Sequence, residues 1–133
     1  MNYLDANIFL YPILYSDKKA NFCRDILLEV VKGKVAAATS ILTWDEIVFT
    51  LKKLLGKEIA VNEGRKFLQM PNLSFIKVDE QIILNAQKLI EIYNLNPRDA
   101  IHAASALMNN CKEFVSDDSD FDKIKELRRV KFS

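Results

Sequence analysis

Acidic side chains stand at places in this sequence where they could work together. Asp5 ends a short apolar run, and Asp117 and Asp118 follow another, Phe114-Val115-Ser116. Glu46 and Asp99 each fall in the first turn of a segment with helical spacing. Carboxylates crowded into one crevice repel one another strongly. A divalent cation relieves that repulsion, and an all-oxygen ligand set favours Mg²⁺ or Mn²⁺ over zinc. Such a cation, one ion or two, can activate water and hold a phosphate oxygen.

Every one of these residues also has an ordinary structural reading. Asp5 would end a strand and cap the helix after it. Thr43-Trp44-Asp45-Glu46 matches a capping box, with Thr43 as N-cap and Glu46 reaching back to it. Asp99 lies three residues after Asn96, where a helix dipole favours any acid. Asp117, Asp118, Asp120 and Asp122 fall in a polar turn, where aspartate is common. His102, the one histidine, follows Asp99 by a helical turn and reads as a partly exposed hydrogen-bonding residue or as a general base. Asn7, Thr39, Ser40, Thr43 and Ser116 could hydrogen-bond carboxylates or bound waters. Trp44 reads as core or interface packing. Lys52, Lys53 and Lys57, Arg65-Lys66 and Arg128-Arg129 are basic clusters near helix ends, either solvated or forming a phosphate-binding rim. The case for chemistry is therefore the coincidence of the acids at one edge of a fold.

The elements needed for that coincidence are legible as alternating short strands and longer helices. Strands are expected at residues 2–5, 35–38, 73–78 and 114–116, with a fifth at 130–132. A brief apolar helix covers 7–15. A second runs from Lys18 to Val31, with Phe22, Ile26, Leu27, Val30 and Val31 on one face and Gly33 as its stop. A third opens at Thr43, carries the stripe Trp44, Ile47, Val48, Leu51, Leu54, Leu55, and ends at Gly56. A fourth covers 59–69 ahead of Pro71. Asp79 caps a fifth, whose stripe is Ile82, Ile83, Ala86, Leu89, Ile90 and Tyr93. Asn96-Pro97 opens a sixth that runs to about Asn109. Strands separated by helices pair in parallel through right-handed crossovers. The expected fold is α/β: a three-layer α/β/α sandwich around a mainly parallel sheet of four to five strands. In such sheets the ligand site lies beyond the carboxyl ends of the strands, where strand order reverses. Asp5 and Asp118 would both sit there if their strands are neighbours.

The chain of 133 residues fits one domain, residues 1–133, and half of those residues are apolar, enough for a core. A net charge of +1 argues against a broadly polybasic nucleic-acid binder, though not against a local basic rim. Cys23 and Cys111 have no zinc-type spacing and read as reduced, buried thiols. With no signal-peptide pattern and no apolar run of membrane-spanning length, the expectation is a cytoplasmic protein without membrane contact.

Segments in four places resemble the motifs of PIN domains, in family order. Met1-Asn2-Tyr3-Leu4-Asp5-Ala6-Asn7-Ile8 resembles the opening strand with its aspartate, and Thr39 to Ile47 resembles the second motif with its inward glutamate. Pro97-Arg98-Asp99-Ala100-Ile101-His102-Ala103-Ala104 is the most specific match, and Val115 to Asp122 resembles the fourth motif. Length and helix count are similar to the VapC toxin subgroup. That resemblance implies an Mg²⁺- or Mn²⁺-dependent endoribonuclease acting on RNA, homodimeric and commonly inhibited by a VapB-type antitoxin. It carries the acidic triad over to Asp5, Glu46 and Asp99. The fourth acid falls on Asp118, with Asp117 as the alternative, and Asn7, Ser116, Asp117 and Asp120 are supporting residues. A non-catalytic RNA-binding or dimerisation module of the same fold is the other reading. A receiver-like phosphoryl-transfer domain fits less well, because no acidic doublet precedes Asp5.

Overall fold

Short strands that are apolar at consecutive positions, as at Tyr3-Leu4 and Phe114-Val115, call for a sheet covered on both faces, and the computed structural model, which describes all of residues 1–133, has that arrangement. The chain runs β1 (Asn2–Leu4), α1 (Asn7–Leu14), α2 (Lys18–Val31), β2 (Ala37–Ser40), α3 (Thr43–Leu55), α4 (Lys57–Leu68), β3 (Leu73–Ile76), α5 (Glu80–Ile92), α6 (Pro97–Met108), β4 (Glu113–Val115), a 3₁₀ turn (Ser119–Lys123) and β5 (Arg128–Val130). The strands lie in the order β3-β2-β1-β4-β5 and every neighbouring pair is parallel. Strand order therefore reverses between β1 and β4, and the loops after these two strands flank a crevice.

Neighbouring residues on each strand serve opposite layers. Tyr3, Ala38 and Phe114 pack with Ala86 of α5 and Ala103 of α6. Leu4, Ala37 and Val115 pack on the other face with Ile8 of α1, Cys23 of α2, Ile47 of α3 and Phe67 of α4. The three-layer α/β/α sandwich follows. Both cysteines are free and buried. No helix is long and apolar enough to cross a membrane.

Several boundaries differ from the sequence expectation for physical reasons. The second strand starts at Ala37 rather than Val35, because the amides of Lys34 and Val35 both turn back to the Glu29 carbonyl and finish α2. Gly33 takes φ +75° at that bend and Gly56 takes φ +94° between α3 and α4, conformations that L side chains resist. The last strand is Arg128–Val130 rather than 130–132, and Phe132 packs edge-on against Tyr11 instead. Of the stripe expected on α3, Ile47 and Leu51 are buried, whereas Trp44, Leu54 and Leu55 are exposed on the outer side.

Candidate metal centre

The site is built at the ends of β1 and β4 and at the N-termini of α3 and α6. Asp5 follows β1 directly, and its amide donates to the Val115 carbonyl, which holds it in line with the neighbouring strand. The residue is nearly enclosed at 6% exposure. One oxygen, Oδ1, accepts the Ala6 amide at 2.8 Å and the other, Oδ2, accepts the Ser116 hydroxyl at 2.7 Å. Ser116 in turn accepts the Asp118 amide at 3.0 Å, so one buried hydroxyl ties the first acid to the turn that carries the fourth. Asp118 caps the 3₁₀ turn by accepting the Asp120 amide at 2.9 Å.

Asp99 lies in the first turn of α6, half-buried beside these residues. Single carboxylate oxygens of Asp99, Asp118 and Asp120 come within 4.8 Å of one another. Burial first, then the charges of Asp118 and Asp5, push the Asp99 carboxyl up to about 6. Asp5 is raised as well, mainly by burial, against the stabilising influence of His102 and Ser116. Acids kept at this disadvantage are short of positive charge, and an all-oxygen donor set is suited to a hard divalent cation.

Glu46 reaches the same crevice from α3. The turn before α3 is fastened to the sheet: Thr39 Oγ1 donates to the Leu4 carbonyl at 2.7 Å and hydrogen-bonds Thr43 Oγ1 at 2.7 Å, and Ser40 Oγ accepts the Leu42 amide at 3.1 Å. The expected capping box does not form. Leu42 occupies the N-cap position without a side-chain cap, the Thr43 hydroxyl faces inward to Thr39, and Glu46 is hydrogen-bonded to His102 instead of reaching back to the backbone. An exposed ion pair, Arg98 to Asp45 at 3.0 Å, joins the first turns of α6 and α3. Between them opens a cleft of ≈ 520 Å³ lined by Glu46, Asn96, Pro97, Arg98 and Asp99.

The histidine expected to be partly exposed is fully buried. Its Nδ1 hydrogen-bonds the Tyr3 hydroxyl and its Nε2 hydrogen-bonds Glu46. Burial alone would lower its pKa, but the bond to Glu46 and the charges of Asp5, Glu46 and Asp99 raise it on balance. Tyr3, which sequence reading treated only as strand, thus belongs to the site's support. Asp117 is engaged instead by α1 and α2, accepting from Lys19 Nζ at 2.9 Å and the Tyr11 hydroxyl at 3.1 Å. Of the two candidates for the fourth acid, the structure brings Asp118 to Asp99 and leaves Asp117 in this ion pair. Asn7 opens α1, and its amide is not among the hydrogen bonds that tie the carboxylates. The basic pair Arg128 and Arg129 is structural: Arg128 pairs with Glu113, and Arg129 grips Asp122 and the Ser116 carbonyl.

Comparison with known proteins gives the same picture of the fold. A family model described as PIN domain matches residues 3–127. No curated protein matches the sequence. Among solved structures, VapBC2 from Rickettsia felis, bound to a DNA fragment from its promoter, is similar over 100% of both chains at 21% identity and a TM-score of 0.77. VapC20 from Mycobacterium tuberculosis, described as a Sarcin-Ricin loop cleaving toxin, is similar over 94% of this chain and 95% of its own, with 13% identity and a TM-score of 0.78. VapBC-1 from nontypeable Haemophilus influenzae covers 99% of this chain and 98% of its own, with 20% identity and a TM-score of 0.71. At these identities the likeness is one of fold.

Proposed function

Because this chain belongs to the PIN domain family, we propose that it is a metal-dependent endoribonuclease that hydrolyses RNA phosphodiester bonds and serves as the toxin of a VapBC-type toxin–antitoxin pair. The observation that carries this reading is the convergence of Asp5, Glu46, Asp99 and Asp118 on one crevice at the reversal of strand order, with two of the carboxyls raised by their surroundings. Similar structures described as VapBC complexes and as a loop-cleaving toxin support the choice of RNA as substrate and of a VapB-type antitoxin as partner.

In this reading Asp5, Glu46, Asp99 and Asp118 hold one or two Mg²⁺ or Mn²⁺ ions, with Asp120 as an additional oxygen donor at the exposed edge. When bound, the cation supplies an acidified water and neutralises charge on the scissile phosphate. The chain's own residues supply the rest. Ser116 keeps Asp5 and the Asp118 turn at fixed separation, so the carboxylates are arranged before substrate arrives. Arg98, on the rim of the cleft, offers a cation to an RNA phosphate flanking the scissile bond. Large apolar side chains left on the outer surface, Phe49, Leu54 and Val61 on α3–α4 and Leu84 and Ile92 on α5, suit a homodimer that also receives an antitoxin, acting in the cytoplasm.

The test is Mn²⁺-dependent cleavage of a labelled RNA panel by wild type, Asp99→Asn and Asp5→Asn. Cleavage by wild type alone, abolished by EDTA, is the expected result. A folded wild type that neither binds Mn²⁺ in calorimetry nor cuts any RNA would leave a non-catalytic module as the better description.

A further inference from the structure

The hydrogen bonds behind Glu46 form a chain that the proposed reaction does not account for by itself. The Tyr3 hydroxyl accepts the Ser40 amide at 3.0 Å and meets His102 Nδ1, and His102 Nε2 meets Glu46 Oε1. Tyr3, Ser40 and His102 are all fully buried, so none of their polar hydrogens can turn to solvent. Ser40 N is a donor only, and Thr39 Oγ1, the other polar atom beside the hydroxyl, is already engaged by the Leu4 carbonyl and the Thr43 hydroxyl, so the direct contact assigns the Tyr3 proton to Nδ1. An Nδ1 that accepts leaves the neutral imidazole's proton on Nε2. Asp5 Oδ1 stands 3.9 Å from Nε2, beyond hydrogen-bond reach, whereas Glu46 is in direct contact.

We propose that His102, locked by Tyr3 as the Nε2–H form, is a positioning residue that donates to Glu46 and fixes which carboxylate oxygen is left to face the crevice. This inference rests on the ribonuclease reading for its consequence and on the buried hydrogen-bond chain for its geometry. Supports of this kind behind an acidic ligand typically change metal affinity or turnover by about 10- to 100-fold when removed. Tyr3 adds a second point of fixation, because its ring also stacks on Phe114 at a centroid separation of 4.9 Å and cannot swing away from the imidazole.

The single histidine makes the experiment direct. Nitrogen-15 NMR of the metal-free wild type at mildly alkaline pH is expected to show one imidazole in the Nε2–H form with a slowly exchanging proton. An Nδ1–H form, or rapid exchange between the two, would overturn the assignment without reference to activity. The functional arm compares His102→Gln, whose amide nitrogen stands near the Nε2 position and can still donate to Glu46, with His102→Asn, which cannot reach it. Mn²⁺ affinity or kcat is expected to fall about tenfold in His102→Asn, with KM little changed, and to recover in His102→Gln. Tyr3→Phe is expected to mix the two imidazole forms in the NMR spectrum and to lower kcat several-fold. Equal Mn²⁺ affinity and kcat in folded Gln and Asn variants would reduce His102 to packing. Absence of Mn²⁺ binding by the wild type would instead remove the ribonuclease reading, and the NMR result would still decide the hydrogen-bond chain. Should the His102 variants fail to fold, the wild-type spectrum and Tyr3→Phe carry the decision.

Discussion

Asp99 concentrates the tension of the site in one side chain. Half-buried, beside Asp118 and Asp5, it is ionised only against desolvation and like charge. Replacing it with asparagine keeps shape and removes the charge. Two opposite consequences are expected of Asp99→Asn: loss of Mn²⁺ binding and RNA cleavage, and a metal-free protein that melts at a higher temperature than wild type. Paired thermal melts with and without Mn²⁺ read stability and binding, the RNA cleavage assay reads activity, and a variant that is both inactive and less stable would indicate that the carboxylate is a structural group. Ser116 makes the contrary case. Its buried hydroxyl serves Asp5 and the Asp118 amide together, so Ser116→Ala should cost roughly 1–3 kcal/mol in chemical denaturation. Where these acids stand in the fold was readable from sequence, because each follows a strand or opens a helix, but which of Asp117 and Asp118 turns toward Asp99 was not. His102 was misread as partly exposed. Its neighbours in sequence, Ala100, Ala103 and Ala104, say only that α6 lies close to something, and the groups that make burial of an imidazole tolerable are 99 and 56 residues away.

At the scale of elements, helix periodicity was a dependable guide and strand edges were not. A helix announces itself over ten or more residues of repeated spacing. A strand of three or four residues is bounded by whichever backbone groups its neighbours claim, as the Glu29 carbonyl claims Lys34 and Val35 ahead of β2. The capping box at Thr43 was a sound local pattern overridden by tertiary structure, since Thr39 offered the Thr43 hydroxyl a buried partner. Where the local rule does hold, at Asp79 accepting the Ile82 amide at 3.0 Å, Asp79→Ala should destabilise by about 1 kcal/mol. The α3–α4 hairpin offers a sharper test. Gly64 is buried in α4, and a Cβ built there would lie 2.8 Å from Val48 Cγ2 and 3.1 Å from Trp44 Nε1 on α3. Helix propensity favours alanine over glycine by up to about 1 kcal/mol. A β-branched valine held in one rotamer cannot withdraw, however, and overpacking of this kind costs about 1–3 kcal/mol. Gly64→Ala is therefore expected to lower stability despite its better propensity. Calorimetric melting of the two proteins measures the sign.

For the whole molecule, proton binding, cation binding and folding are one linked equilibrium. The folded, metal-free chain holds Asp99 at about 6 and raises Asp5 and His102 above their ordinary values. Each of these groups binds its proton more tightly folded than unfolded, so its contribution to stability is present at low pH and is lost as pH rises through its folded-state value. Asp122, lowered by Arg129, acts in the opposite sense, but only below the ordinary carboxylate range and at a solvent-exposed position. Between about pH 5 and pH 7 the metal-free protein should therefore melt at progressively lower temperature as far as these groups decide it. In the proposed reading a divalent cation takes the place of the missing protons. At a hundredfold excess over its dissociation constant it stabilises the fold by about 2.7 kcal/mol, and protons compete with it as pH falls toward the Asp99 value. A net charge of +1 gives the molecule no general attraction for cations, so such a response must come from the local cluster. The expected result is a large Mn²⁺-induced rise in Tm near pH 7 that shrinks toward pH 5 and is absent at both in Asp99→Asn. A Mn²⁺ response of equal size at the two pH values, or one that survives Asp99→Asn, would place the cation elsewhere on the protein.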